Sequence, residues 1–125
     1  MTENELSSII IGEAIFVHKK LGPGLLESVY EECLIHRLIQ RNLKVERQKP
    51  IPLVFESIRL QCGYRCDIIV ENLLIIEVKS VDAINEIHIA QVITYLKLAN
   101  IRLGLLINFN VVQLKTGIKR IVNKL

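Results

Sequence analysis

Three charged side chains interrupt a stretch otherwise suited to a protein core. In Tyr64-Arg-Cys-Asp-Ile-Ile-Val-Glu-Asn-Leu-Leu-Ile-Ile-Glu-Val-Lys-Ser80, two strand-like apolar runs carry Asp67, Glu77 and Lys79. Side chains alternate across a strand, so Glu77 and Lys79, two apart, leave one face while Ile76 and Val78 fill the other. A charged pair in such a strand is costly unless it is paired, hydrated or metal-bound, which implies a polar cleft. Two carboxylates meeting near a lysine suit phosphodiester hydrolysis. Hard oxygen ligands hold a magnesium-like ion that bridges the phosphate and makes an attacking water more acidic, and the lysine steadies developing negative charge. The plainer reading of the same spacing is a solvated Glu-x-Lys pair on an exposed sheet face.

Whether Asp67 joins the other two depends on the turn between the runs. Antiparallel pairing that sets residue 67 opposite residue 77 needs an odd loop, for instance Glu71-Asn72-Leu73. A two-residue turn at Glu71-Asn72 would oppose Asp67 to Ile76 and turn its carboxylate to the other face. The chemistry therefore predicts an odd-length loop or a bulge.

Around this segment the pattern alternates between helical and strand texture. Residues 5 to 20 place Ile9, Ile10, Glu13, Phe16 and Val17 at spacings of three and four, ended by Leu21-Gly22-Pro23-Gly24. A second helix is expected from Leu25 to about Arg41, with Leu26, Val29, Tyr30, Cys33, Leu34 and Leu38 in register and Asn42 as a stop. Short runs rich in Val, Ile and Leu follow at Lys44–Gln48, Ile51–Phe55, Ile58–Cys62, Arg65–Val70 and Leu73–Ser80, and read as one meander. Residues 84 to 99 return to helical spacing. Leu103–Phe109 predicts a strand covered on both faces, and Val111–Lys115 and Ile118–Val122 could add edge strands.

The chain has 125 residues, half of them hydrophobic, 23% charged and only three proline, so one domain over 1–125 around one core is expected. No apolar run approaches the ~20 residues that span a bilayer. The start carries two glutamates and no basic cluster ahead of its short apolar run, so a cytoplasmic location and no membrane partner are expected. Three cysteines without a CxxC pair argue against a disulfide framework and a structural zinc site, leaving Cys62 and Cys66 as small buried residues. The net charge of +3, with Lys115, Lys119, Arg120 and Lys124 near the end, favours an anionic partner.

Five segments in order carry a family resemblance: Gly24-Leu-Leu-Glu27-Ser-Val-Tyr30, Asp67, Glu77-Val-Lys79-Ser80, Gln91-Val-Ile-Thr-Tyr95 and Leu103-Gly-Leu-Leu-Ile-Asn-Phe109. With these the chain resembles the PD-(D/E)xK nuclease superfamily, in particular its small bacterial GxxExxY family. The resemblance implies an α/β (α+β) fold, a restriction-endonuclease-like central mixed sheet flanked by helices. It implies Asp67 and Glu77 as metal ligands, Lys79 as the catalytic lysine and Mg²⁺ or Mn²⁺ as cofactor. Glu27 resembles the further acid that many such nucleases supply from an N-terminal helix, which implies it as a third metal ligand and catalytic group, and the helix dipole favours its ionised form. Gln91 and Tyr95, four apart on one helical face, resemble a Gln-x-x-x-Tyr element that lines the cleft, and Tyr30 is a further candidate for that lining. Asp67 follows Cys66, so the proline of the superfamily's name is absent here. His88 is left outside the catalytic set. Nucleic acid is the implied partner, with DNA placed before RNA and Arg65, Lys115, Lys119 and Arg120 as candidate contacts. A homo-oligomer is compatible with the pattern. The alternative function is an inactive nucleic-acid-binding or protein-interaction module on the same fold.

Overall fold

Helix α1 (Glu3–Leu21) starts where the Thr2 hydroxyl accepts the Glu5 amide at 3.1 Å, with Glu3 and Glu5 in the first turn and His18, Lys19 and Lys20 in the last. Those charges complement the helix dipole. Gly22 (φ 71) and Gly24 (φ 95) then take the left-handed backbone that breaks the chain into α2 (Glu27–Gln40). The two helices turn Leu6, Ile10, Ala14 and Val17, and Tyr30, Leu34 and Leu38, onto one face of a sheet. Glu13 is buried on the same seam, where Arg37 and Arg41 of α2 reach its two oxygens at 2.8 and 2.7 Å. This is the pairing that a buried charge requires.

The computed structural model describes residues 1–61 and 64–125. Its main sheet has five strands in the order β1 (Val45–Pro50), β4 (Arg65–Val70), β5 (Leu74–Lys79), β6 (Leu103–Asn108), β7 (Ile118–Val122). All neighbours are antiparallel except β5 and β6, which run parallel because α3 (Glu86–Ala99) makes the crossover between them. The architecture is thus a mixed α+β sheet flanked by three helices. Every residue of β6 is buried, as its unbroken apolar run predicted.

The sheet carries a core on each side, where composition predicted one. Ile68, Val70, Leu74, Ile76 and Val78 face α1 and α2, while Ile69, Ile75 and Leu106 face α3 with Val92, Tyr95 and Leu96. Gly104 of β6 lets α3 lie close, since a Cβ there would stand 2.8 Å from Val92 Cγ1 and 3.4 Å from Leu96 Cδ1. Among the described residues no helix is long and apolar enough to cross a membrane.

Two expectations need correction. The apolar runs after residue 44 do not form one meander: β1 pairs directly with β4, and the runs between them form a separate two-stranded hairpin, β2 (Leu53–Phe55) and β3 (Ile58–Leu60). Pro50 and Pro52 supply no ladder donors at its entrance, and Val54, Phe55 and Ile58 stay exposed. Cys62, expected at the end of β3, lies outside the described residues. Val111–Lys115 forms no strand either. A 3-10 helix spans Leu114–Gly117, and the site of a Cβ on Gly117 lies 2.2 Å from the Asn108 carbonyl oxygen. The segment is folded back too closely to extend.

Val92 is β-branched and cannot swing away cheaply. Gly104→Ala should therefore lower stability by about 1–3 kcal/mol through overpacking. Urea denaturation checks this, and an unchanged midpoint would show that α3 does not rest on Gly104 as described.

Candidate active site

The turn between β4 and β5 is three residues long. Glu71 (φ 54) and Asn72 (φ 53) take left-handed backbone, and the Leu73 amide bonds the Val70 carbonyl at 2.9 Å. Pairing then runs Val70–Leu74, Ile69–Ile75, Ile68–Ile76, so the next position sets Asp67 opposite Glu77. There the ladder changes character. The Asp67 amide donates to Glu77 Oε1 at 2.9 Å, and the Val78 amide donates to Asp67 Oδ2 at 2.9 Å. Side-chain oxygens replace carbonyls as acceptors, the strands part, and both carboxyl groups enter the gap between them.

Glu77 is only 3% exposed. Burial, reinforced by the negative charge of Asp67, pushes its carboxyl up to about 8, against a smaller opposing pull from Lys79. Glu77 therefore holds its proton more tightly than a free carboxyl group. Lys79 follows Glu77 on the same face, half-buried, and among the described residues its ammonium makes no ion pair or hydrogen bond. Tyr95 of α3 is buried beside the pair. Burial and the charges of Glu77 and Asp67 push its hydroxyl up to about 12, so it stays a donor. The Cys66 thiol is likewise pushed up to about 12 by burial and Glu77, which makes it an unreactive core group.

The other candidates fall into distinct places. Gln91 and Tyr95 line one cavity of about 210 Å³ with Leu53, Tyr64, Thr94 and Leu98. Glu27 stands at the start of α2, where its carboxylate accepts the Ser80 amide at 3.2 Å while the Ser80 hydroxyl donates to the Leu25 carbonyl at 2.6 Å. It thus ties α2 to the residue after Lys79. Among the described residues no three His, Cys, Asp or Glu side chains are placed to hold a metal together. Tyr30 belongs to the core rather than to a cleft. Its ring stacks on Phe109 at 4.5 Å, and its hydroxyl donates to the Gly22 carbonyl at 2.5 Å and accepts from the Leu25 amide at 3.1 Å. It pins the loop that leads into Glu27.

The basic candidates are spread over several elements. Arg65 is exposed at the start of β4, Lys115 lies on the 3-10 helix, and Lys119 and Arg120 lie on β7 at the far edge of the sheet. Arg120 bonds Asn4 of α1. Lys119 occupies the same cross-strand row as Leu106 and Glu77, on the face covered by α3. His88 caps its own helix with Asn85.

Two residues near Asp67 escaped the sequence reading. Glu31 is 7% exposed, one turn after Glu27, and the Gln48 side-chain amide donates to it at 2.9 Å and to Asp67 Oδ1 at 3.3 Å. Burial, helped by the charge of Asp67, raises the Glu31 carboxyl above its ordinary range. The available signal was a glutamate in the apolar stripe of α2, in line with Leu34, Ile35 and Leu38. Gln48 had no comparable signal.

The donor set suits a small hard dication. Two carboxyl groups meet, and burial of Glu77 beside Asp67 disfavours its negative charge, an arrangement that a bound cation would relieve. Such ions keep several waters and accept few protein ligands. Residues 4–121 match the family model described as PD-(D/E)XK nuclease superfamily. No curated protein and no solved structure matches the chain.

In the metal-free protein the raised Glu77 value fixes the sign of a pH dependence. The folded state holds this proton more tightly than the unfolded state, so the contribution is fully present below the ordinary value of 4.5. It is lost as pH rises through the folded value of about 8. Stability measured with a chelator present should fall across that window, and Glu77→Gln should flatten the fall. A wild-type profile that rises over the same range would contradict the burial described.

Proposed function

Because the chain belongs to the PD-(D/E)XK nuclease superfamily, we propose that it is a metal-dependent nuclease that hydrolyses nucleic-acid phosphodiester bonds, with DNA as the first substrate to test. The observation that carries this reading is the cross-strand bonding that brings the two acids together, the Asp67 amide to the Glu77 carboxylate and the Val78 amide to the Asp67 carboxylate, with Lys79 two residues further on and without an ion pair among the described residues. A binding module has no use for two acids beside a phosphate, since they repel it unless a cation intervenes.

In this reading Asp67 and Glu77 are the residues that would hold Mg²⁺ or Mn²⁺, and the ion would supply neutralisation of phosphate charge and a more acidic attacking water. The chain's own groups supply the rest. The Val78 amide fixes which Asp67 oxygen faces β5, and the Asp67 amide does the same for Glu77. Lys79 brings its positive charge toward the scissile phosphate, where negative charge grows in the transition state. The Tyr95 hydroxyl, protonated at all working pH values, can donate to a phosphate oxygen or a water at the edge of the cavity it shares with Gln91. Glu27 acts indirectly, since its bond to the Ser80 amide steadies the end of β5 beside Lys79. Arg65 on β4 and Lys119 on the α3 face are the basic groups that would meet the backbone of a bound strand in this reading. Within the superfamily, the Gly24-to-Tyr30 motif favours the GxxExxY family.

The purified protein should cut DNA with Mg²⁺ or Mn²⁺ and stop in a chelator. Lys79→Ala should lower kcat by about 10²–10³ while leaving DNA affinity much less changed, and Asp67→Ala should lose cleavage and Mn²⁺ binding together. The assay uses single-stranded, duplex and branched DNA and RNA. Wild-type protein that binds nucleic acid but never cuts it with either metal would replace this reading with the binding module.

A further inference from the structure

Gln48 adopts φ 49, a left-handed backbone that glutamine seldom takes. It sits on β1 at the position opposite Asp67. Regular pairing runs Val45–Val70, Glu46–Ile69, Arg47–Ile68 and resumes at Lys49–Cys66 and Pro50–Arg65, skipping the Gln48–Asp67 step. No residue is inserted, because the register is the same on both sides of the gap. The backbone turns over at this one step.

The faces of both strands record that turn. Ile68 lies in the core beneath α1 and α2, yet Cys66, two residues earlier, lies in the core beneath α3 with Ile69. Strict alternation would put Cys66 with Ile68. On β1, Glu46 and Lys49 are three apart but form an ion pair at 2.8 Å, which an alternating strand would prevent. Arg47 points toward Glu31 and Glu32 of α2, so the next side chain should point away from α2. The left-handed backbone instead brings Gln48 to the same side, where its amide nitrogen meets Glu31 at 2.9 Å and Asp67 at 3.3 Å. Both amide hydrogens are thereby committed, one to each carboxyl group.

We propose that Gln48 is a positioning residue for Asp67: its left-handed backbone swings a side-chain amide between Asp67 and Glu31, holding the Asp67 carboxylate in the orientation that faces Glu77. The amide fixes Oδ1 while the Val78 amide fixes Oδ2, so the carboxylate is clamped from both neighbouring strands. It also screens Asp67 from Glu31, whose negative charge would otherwise compete for the same donors. Strain held at one residue and released into a functional carboxylate is the use to which such backbone outliers are commonly put. The inference rests on the metal-dependent reading of Asp67 and Glu77.

The test separates backbone from amide. Gln48→Gly accepts the left-handed conformation freely but has no amide, and Gln48→Ala lacks the amide and keeps the strain. Mn²⁺ binding is followed by calorimetry and folding by thermal melting. Both variants should bind Mn²⁺ at least about tenfold more weakly than wild type, the usual cost of losing a group that orients a ligand. Only the Ala variant should also melt below the Gly variant. If the Ala variant fails to fold, the Gly variant alone carries the comparison. Wild-type affinity in the Gly variant would overturn the proposal while leaving the nuclease reading intact. Absence of Mn²⁺ binding in the wild-type protein would instead overturn that reading, and the role of Gln48 with it.

Discussion

A buried carboxyl group set against a half-buried one in the middle of a sheet resists carrying a negative charge unless a positive charge compensates it. That electrostatic constraint organises the region around Asp67 and Glu77. The strands answer part of it by giving up backbone pairing, so that amide hydrogens of Asp67 and Val78 bond carboxylate oxygens instead of carbonyls. The remainder is met at Glu77, whose carboxyl burial pushes toward its neutral form. A sheet that sacrifices ladder bonds at its centre to accommodate charge has traded stability for a binding property, which is where functional sites are usually found.

The rest of the molecule keeps this gap in one shape. The α1–α2 pair covers the sheet from one side, locked by the Glu13 pairing with Arg37 and Arg41 and by Tyr30, which holds the Gly22–Leu25 loop through its hydroxyl. From that loop Glu27 and the Leu25 carbonyl grip Ser80 at the end of β5. On the opposite side α3 lies against Gly104 and delivers Tyr95 to the carboxyl pair. Asn108, buried at the end of β6, exchanges hydrogen bonds with both the amide and the carbonyl of Val81, and so fixes the chain as it leaves β5. The site is therefore framed by the central strands and the helices packed on them.

Much of this was legible in the residues. Apolar periodicity marks all three helices and the central strands to within a few positions, because those elements are amphipathic or wholly buried and the pattern follows directly from packing. The Asp67–Glu77 register was legible through chemistry, since two acids needing a common neighbour demand a three-residue turn, and Glu71 and Asn72 adopt it. The hairpin β2–β3 was not legible as a separate sheet. Its residues are as β-prone as those of β1, and what excludes them from the main sheet is the direct pairing of β1 with β4, from Val45–Val70 to Pro50–Arg65, a contact distant in sequence. Tyr30 was ambiguous for a similar reason, because helical spacing places it near both the core and Glu27. Glu31 was marked only by its place in the apolar stripe of α2, and Gln48 by nothing, since its role depends on a left-handed backbone that no pattern of residue types announces for a glutamine.

The place where a divalent cation binds decides whether Asp67 and Glu77 form a metal site. An anomalous difference map from crystals of the wild-type protein grown with Mn²⁺ locates it without recourse to activity. The predicted result is one strong peak between the carboxylates of Asp67 and Glu77, with Gln48 still bonded to Asp67. A well-ordered map with no peak there, or with Asp67 turned to the other face of the sheet, would contradict it.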